Sequence, residues 1–352
     1  MNLLENVPLA PLTTLGVGGP ARFFAEAHTE GELREAIDYS RSHKLPLFVL
    51  GGGSNLVVAD EGFAGVVVHI AIKGIDESDA GDKRLFQAGA GEDWDALVAH
   101  AVKMNCAGVE CLSGIPGTVG ATPVQNVGAY GQEVADTITN VYALDLESGE
   151  VNEFSNEACG FAYRSSIFNT IARGRFIILG ARFALEKNGA PKIEYRDLKN
   201  HFAGPGGRPT LGEVRKAVRE IRHSKAMLIV EGDEDCRSAG SFFKNPIVSA
   251  AKFADLQAIA KKRGVQIPSF PAANGEVKVP AAWLVEHSGF AKGTTHGRAG
   301  ISRRHALAIV NRGGATAAEV VALKDEIQRA VSGHFGIDLH PEPVFLGFET
   351  AP

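Results

Sequence analysis

Apolar residues along this chain recur with two periods, helical and strand-like, separated by stretches where neither holds. Leu33, Ala36 and Ile37 share one helical face just after Thr29-Glu30-Gly31-Glu32, whose Thr/Glu spacing predicts a capping box. The same signature recurs at Thr210-Leu211-Gly212-Glu213, ahead of Val214, Ala217, Val218 and Ile221, and at Thr316-Ala317-Ala318-Glu319, ahead of a last helix ending near Phe335-Gly336. Two more helices are expected, one with Trp94, Leu97, Val98, Ala101 and Val102 on its apolar side, and one from about Ser249 to Lys262 stopped by Gly264. Short apolar runs predict strands at 47–50, 56–58, 66–70, 141–146 and 176–185, with another at 86–91 ending in a turn, and residues 337–348 read as extended. Pro191 to Pro209, rich in Gly, Pro and charge, reads as a linker or mobile excursion.

Helices and strands are mixed without a regular βαβ series, so the fold class is α+β. A length of 352 residues implies more than one core. The expected division is a nucleotide-binding domain over 1–190 with two α+β subdomains split near 70–85, an α+β domain over 200–335, and a closing segment over 336–352. The net charge of −5 gives no basic field for nucleic acid. No apolar run approaches the roughly 20 residues that span a bilayer, and the N-terminus lacks a basic signal-peptide region. Cys106, Cys111, Cys159 and Cys236 form no CxxC pair, which favours buried, reduced thiols and a cytoplasmic location.

The glycines, 41 in number, cluster in loops, and this is where the chemistry begins. Gly16-Val17-Gly18-Gly19-Pro20-Ala21 fits a dinucleotide fingerprint only loosely, because Pro20 interrupts it and strand-like sequence follows where a helix should start. Gly51-Gly52-Gly53-Ser54-Asn55 is a better phosphate cradle: three residues without Cβ let backbone N–H groups approach phosphate oxygens, although a tight hairpin is the alternative. From Gly114 to Gly131 runs a stretch of glycine, proline and small or uncharged residues, without Lys, Arg or Glu. It suits a backbone wrapped around a flat, largely apolar ligand with polar edges.

These segments, with Tyr163 to Phe168, Ala239 to Pro246 and Pro341 to Phe345, resemble in order and spacing the UDP-N-acetylenolpyruvoylglucosamine reductase family, in its longer class with a tyrosine lid. The resemblance covers about Leu12 to Gly347. It implies a vanillyl-alcohol-oxidase-type FAD-binding domain over 1–190, a UDP-sugar-binding domain over 200–335, and a C-terminal segment that returns to the active site. It implies non-covalent FAD, with the pyrophosphate held by Gly51, Gly52, Gly53, Ser54 and Asn55. The rest of the cofactor would be lined by Gly114, Ile115, Pro116, Gly117, Gly120, Ala121, Gln125, Asn126, Gly128, Ala129 and Tyr130. The reaction implied is NADPH-driven reduction of UDP-N-acetylglucosamine enolpyruvate to UDP-N-acetylmuramate in peptidoglycan precursor synthesis, by a monomer.

Three catalytic residues follow from the same resemblance. Arg164 offers a guanidinium fork for the substrate carboxylate as it takes up charge. Ser241 matches the proton donor, between a glycine and two phenylalanines, and Glu342, flanked by prolines, matches the catalytic carboxyl. Tyr163, Tyr195, Lys225 and Asn245 match substrate-binding positions, with Tyr195 as the lid residue, while Phe270 stands where a second aromatic is expected. His287, His296 and His305 show no metal-ligand spacing and read as packed or solvated, so no metal is expected. A flavin oxidase of the same fold, or a nucleotide-sugar-binding protein without catalysis, stays open as an alternative.

Overall fold

The computed structural model describes residues 1–204 and 206–349. They form two compact units. Unit 1 comprises Met1–Val7, Ala21–Gly53 and Ala64–Leu228; unit 2 comprises Pro8–Pro20, Ser54–Phe63 and the chain from Ile229 onward.

Unit 1 holds two large sheets, besides a two-stranded pairing of Gly128–Ala129 with Gln132–Glu133. The first has four strands in the order Leu3–Pro8, Pro20–Ala27, Phe63–Ile70, Leu47–Leu50, with the last pair parallel. The second is an antiparallel sheet in the order Val151–Ser155, Ile138–Asp145, Phe176–Lys187, Lys83–Gly89, Ile75–Ala80, with Cys106–Ala107 added to the long strand. Helix α1, Glu30–Ser42, starts where Thr29 accepts a hydrogen bond from the Glu32 N–H at 3.2 Å, but the Glu32 carboxylate reaches past Thr29 to the His28 N–H at 2.7 Å. Helix α2, Trp94–Lys103, is capped by Asp93 and buries Trp94, Leu97, Val98 and Ala101. One apolar core joins these helices to both sheets.

The stretch expected to be a linker contains a helix, α3, Arg196–His201. It forms because Leu198 is fully buried against Val214, Ala217 and Val218 of α4, Leu211–Ser224, whose reciprocal Thr210–Glu213 capping box is as expected. Residues 191–204 and 206–228 therefore pack with unit 1, which differs from a domain boundary near 200.

Asp95 ties α4 to α2. Its carboxylate accepts from Arg215 at 2.6 and 2.9 Å, from Arg219, and from the backbone N–H of Gly114 at 2.6 Å. Burial pushes this carboxyl up, but the Arg215 and Gly114 hydrogen bonds and the two guanidinium charges outweigh it and hold the pKa below the usual aspartate value.

Unit 2 carries α5, Ala250–Lys262, α6, Ala281–Glu286, and α7, Ala317–Phe335. Two three-stranded antiparallel sheets accompany them, Ile247–Val248, Val277–Lys278, Phe270–Pro271 and Thr295–His296, Ala299–Ile301, Ile309–Asn311. The Thr316–Glu319 box opens α7 as expected, and Asp60 adds a second anion there, accepting from the N–H groups of Ala317 and Ala318 at 2.7 and 2.9 Å. Of the segment expected to be extended, Val344–Leu346 is a strand, paired in parallel with Leu56–Val58. Among the described residues no helix is long and apolar enough to cross a membrane.

The Asp95 hub generates a stability prediction. Because the folded-state pKa is lowered, its contribution is full above the unfolded aspartate value and is lost as pH falls through the lowered one. Asp95→Asn should cost about 2 kcal/mol in urea unfolding at neutral pH, and the loss should shrink below about pH 4. A variant as stable as the parent at pH 7 contradicts the hub.

Candidate active site

Two glycine segments meet in unit 1. A Cβ on Gly52 would lie 2.5 Å from the Gly117 Cα, and one on Gly51 would lie 3.0 Å from the Thr118 Oγ1. The loop from Gly51 is not a hairpin, since Leu47–Leu50 pairs with Phe63–Ile70 and Leu56–Val58 pairs with Val344–Leu346. Among the described residues, the backbone N–H groups of Gly51, Gly52, Gly53 and Ser54 donate to no protein acceptor. Backbone N–H groups of a glycine turn that are free of protein acceptors are the groups an anion can use. At Ser54 the chain passes into unit 2.

The longer glycine stretch has no regular element beyond a 3₁₀ turn at Val119–Ala121 and a two-residue strand at Gly128–Ala129. It is pinned at its start. The Gly114 N–H donates to Asp95, and its carbonyl accepts from Arg222 Nε at 3.0 Å. Farther along, the Gly117 carbonyl accepts from the Trp94 N–H at 3.1 Å and the Gly120 N–H donates to Ala90 at 2.9 Å. Asn126 holds the loop from inside: its Nδ2 donates to Glu133 at 2.8 Å and to the Ala162 carbonyl at 3.1 Å, while its Oδ1 accepts from the Ala135 N–H at 3.1 Å. That side chain is fully engaged with protein groups, which leaves its backbone for any ligand.

Arg164 reaches this loop. Its Nη2 donates to the Gly128 carbonyl at 3.0 Å, and its guanidinium lies 5.6 Å from the Tyr163 ring centroid. The backbone is left-handed there, φ 55°, a conformation costing a non-glycine residue about 1–2 kcal/mol. Asn169 fixes the turn by donating to the Arg164 carbonyl at 3.2 Å. Tyr130, Tyr195 and Lys225 also come together: the two rings meet edge to face at 5.4 Å, and the Lys225 ammonium lies 6.0 Å from the Tyr130 centroid.

Unit 2 gathers the remaining residues. Pro341 bridges Phe243, the Glu342 N–H donates to the Phe242 carbonyl at 2.9 Å, and the Lys244 N–H donates to His340 at 2.9 Å. The C-terminal segment thus runs antiparallel beside Ser241-Phe242-Phe243. Asn55 joins it from the other side, with Nδ2 donating to the Glu342 carbonyl at 3.1 Å and its own carbonyl accepting from the Val344 N–H at 2.9 Å. Ser241 Oγ is hydrogen-bonded to His305 Nε2 at 3.0 Å, and Phe242 and Phe243 beside it are buried. Asn245 Oδ1 accepts from the Ala281 N–H at 2.9 Å, anchoring the start of α6. Phe270 is 54% exposed at a sheet edge, away from the unit 2 core.

The sequence reading missed His305, taken as packed or solvated, and Asp95, Arg222 and Asp197, the last of which is ion-paired with Lys225. None of the four sits in a pattern of its own, and each gains its meaning from a residue far along the chain.

All four cysteines are buried and unpaired. Burial pushes the Cys159 thiol up to about 12 and raises Cys106, Cys111 and Cys236 as well, so none offers a thiolate nucleophile.

Comparison with known proteins gives the class first. Residues 21–155 match the FAD binding domain family, so the chain is a flavoprotein of α+β fold. Residues 232–346 match the family described as UDP-N-acetylenolpyruvoylglucosamine reductase, C-terminal domain. The reductase of that name from Thermobifida fusca is 46% identical over 97% of this chain and 98% of its own length, and the one from Pseudomonas fluorescens is 39% identical over 97% and 98%. A crystal structure of the Thermus caldophilus reductase superposes with a TM-score of 0.63 at 27% identity, covering 98% of this chain and 99% of that one. The chain belongs to the UDP-N-acetylenolpyruvoylglucosamine reductase family. The unit 1 residues fit the cofactor, since a run of unpaired N–H donors suits a pyrophosphate and the glycine contacts leave no room for a Cβ.

Gly52→Ala therefore forces backbone apart. It should lower stability by about 1–3 kcal/mol and reduce FAD retained through gel filtration at least tenfold, read from the ratio of visible to ultraviolet absorbance. Full flavin retention contradicts the packing argument.

Proposed function

We propose that this chain reduces UDP-N-acetylglucosamine enolpyruvate to UDP-N-acetylmuramate with NADPH and FAD, using Arg164, Ser241 and Glu342 as its catalytic residues. Two local arrangements, one in each unit, support the residue assignment: Arg164 lies on the Gly128 carbonyl of the glycine stretch, and Glu342 is hydrogen-bonded through its backbone both to the residue after Ser241 and to Asn55. FAD, when bound, supplies the hydride carrier between NADPH and the double bond.

Gly51 to Asn55 hold the pyrophosphate in this reading, and the backbone from Gly114 to Tyr130 lines the rest. Arg164 pairs with the substrate carboxylate, where its fork stabilises the negative charge that grows as the double bond is reduced. A guanidinium already held at a backbone carbonyl and an aromatic face loses little freedom on doing so.

Ser241 delivers the proton to the carbon next to the carboxylate. A serine hydroxyl is a weak acid, and the His305 imidazole answers that difficulty by fixing the hydroxyl's direction and offering a group to exchange its proton with. Glu342 sits on a proline-stiffened extended segment, which places its carboxyl without any help from helix geometry. Tyr163, Tyr195, Lys225 and Asn245 bind the UDP-sugar, with Lys225 on the diphosphate and Tyr195, 46% exposed, as the residue that folds over it.

Cytoplasmic location, a monomeric state and the lack of nucleic-acid binding complete the proposal. The net charge of −5 and four unpaired buried cysteines support it.

Ser241→Ala separates the two halves of the reaction. Under anaerobic rapid mixing, NADPH should bleach the flavin band within about twofold of the parent rate, whereas recovery on adding enolpyruvyl substrate should slow by about 10²–10⁴-fold. Equal slowing of both phases would remove Ser241 from the proton transfer.

A further inference from the structure

Lys225 is the residue that ends α4, and its position is set by backbone bonds from its N–H to Ile221 and Arg222, both at 3.2 Å. Its ammonium is not waiting as a bare charge. It is ion-paired with the carboxylate of Asp197, in the first turn of α3. The next residue, Leu198, is fully buried in the cluster that docks α3 on α4, so Asp197 is presented to Lys225 by a packed element. Both side chains stay partly in water, 39% and 30% exposed, so the pair is held firmly enough to form and loosely enough to open.

The surroundings suit a phosphate chain. Tyr130 stands beside the pair, with Tyr195 against its ring, and its hydroxyl feels Arg222 on one hand and Asp197 on the other. Lys225, with Tyr130 beside it and Tyr195 against Tyr130, makes a site whose anion is already present in Asp197, supplied by the protein itself.

We propose that Asp197 is the resting counter-ion of Lys225 and is displaced by the substrate's diphosphate, so that its carboxylate sets nucleotide affinity by competing for the same ammonium. The proposal rests on the reading that Lys225 holds the diphosphate. On that reading the substrate exchanges one anion for another. No bare lysine has to be created in its absence, and Lys225 is kept from binding stray anions. Removing the carboxylate charge strengthens nucleotide binding, and the gain depends on Lys225 being there.

The test is calorimetric titration of UDP into the FAD-loaded enzyme at low ionic strength. Asp197→Asn should tighten UDP at least fivefold. Asp197→Glu, which keeps the charge, should stay within about twofold of the parent and serves as the folded control for changes at this position. Lys225→Met should weaken UDP at least tenfold, and adding Asp197→Asn to it should restore little of the fivefold gain. If Lys225→Met weakens UDP but Asp197→Asn leaves it unchanged or weaker, Asp197 merely positions the lysine and the exchange is wrong. If Lys225→Met leaves UDP affinity intact, the diphosphate is not on Lys225, and the underlying reading falls along with the exchange.

Discussion

Backbone touches backbone where Gly52 meets Gly117, with only 2.5 Å between the Gly117 Cα and the place a Cβ on Gly52 would occupy. That approach is open to glycine alone, and it turns two separate loops into one wall. The wall has to be held, because glycine loses more conformational freedom on folding than any other residue. Charged side chains do the holding. Asp95 takes the Gly114 N–H, Arg222 takes the Gly114 carbonyl, and Arg215 and Arg219 brace Asp95 from α4. The helix that begins at the Thr210 cap is thereby a buttress for the glycine loop, which accounts for its packing with unit 1.

Unit 2 solves a related problem with strand-like pairing. A C-terminal segment flanked by prolines cannot be placed by a helix, and it is instead stitched on one side to Ser241-Phe242-Phe243 and on the other to Asn55. Across that stitch Asn55 donates to the carbonyl of Glu342, 287 positions farther along the chain. Asn55 thus belongs to the same unit as Ser241, His305 and Glu342, while Gly51 to Gly53 belong to the other. One five-residue motif contributes to both units.

Much of this was legible in the sequence because the signals were local. Three Thr/Glu capping patterns announced α1, α4 and α7, although at α1 the Glu32 side chain chose the preceding N–H over that of Thr29. The glycine runs announced loops, and motif order announced the family. Helix α3 was hidden because a six-residue polar helix with one buried leucine has no periodicity to detect, and its Gly- and Pro-rich flanks imitate a linker. His305, Asp95 and Asp197 were hidden for a different reason: each matters through a partner 64, 120 or 28 residues away, respectively Ser241, Arg215 and Lys225, and no spacing rule reaches that far.

The central claim is that this glycine-lined backbone grips a flavin and hands its electrons to an enolpyruvyl nucleotide sugar. The visible spectrum of the purified protein, followed anaerobically, tests it directly. The account predicts flavin absorption bands that fade on adding NADPH and return, without oxygen, on adding UDP-N-acetylglucosamine enolpyruvate. A colourless protein, or a faded band that only air restores, would contradict it.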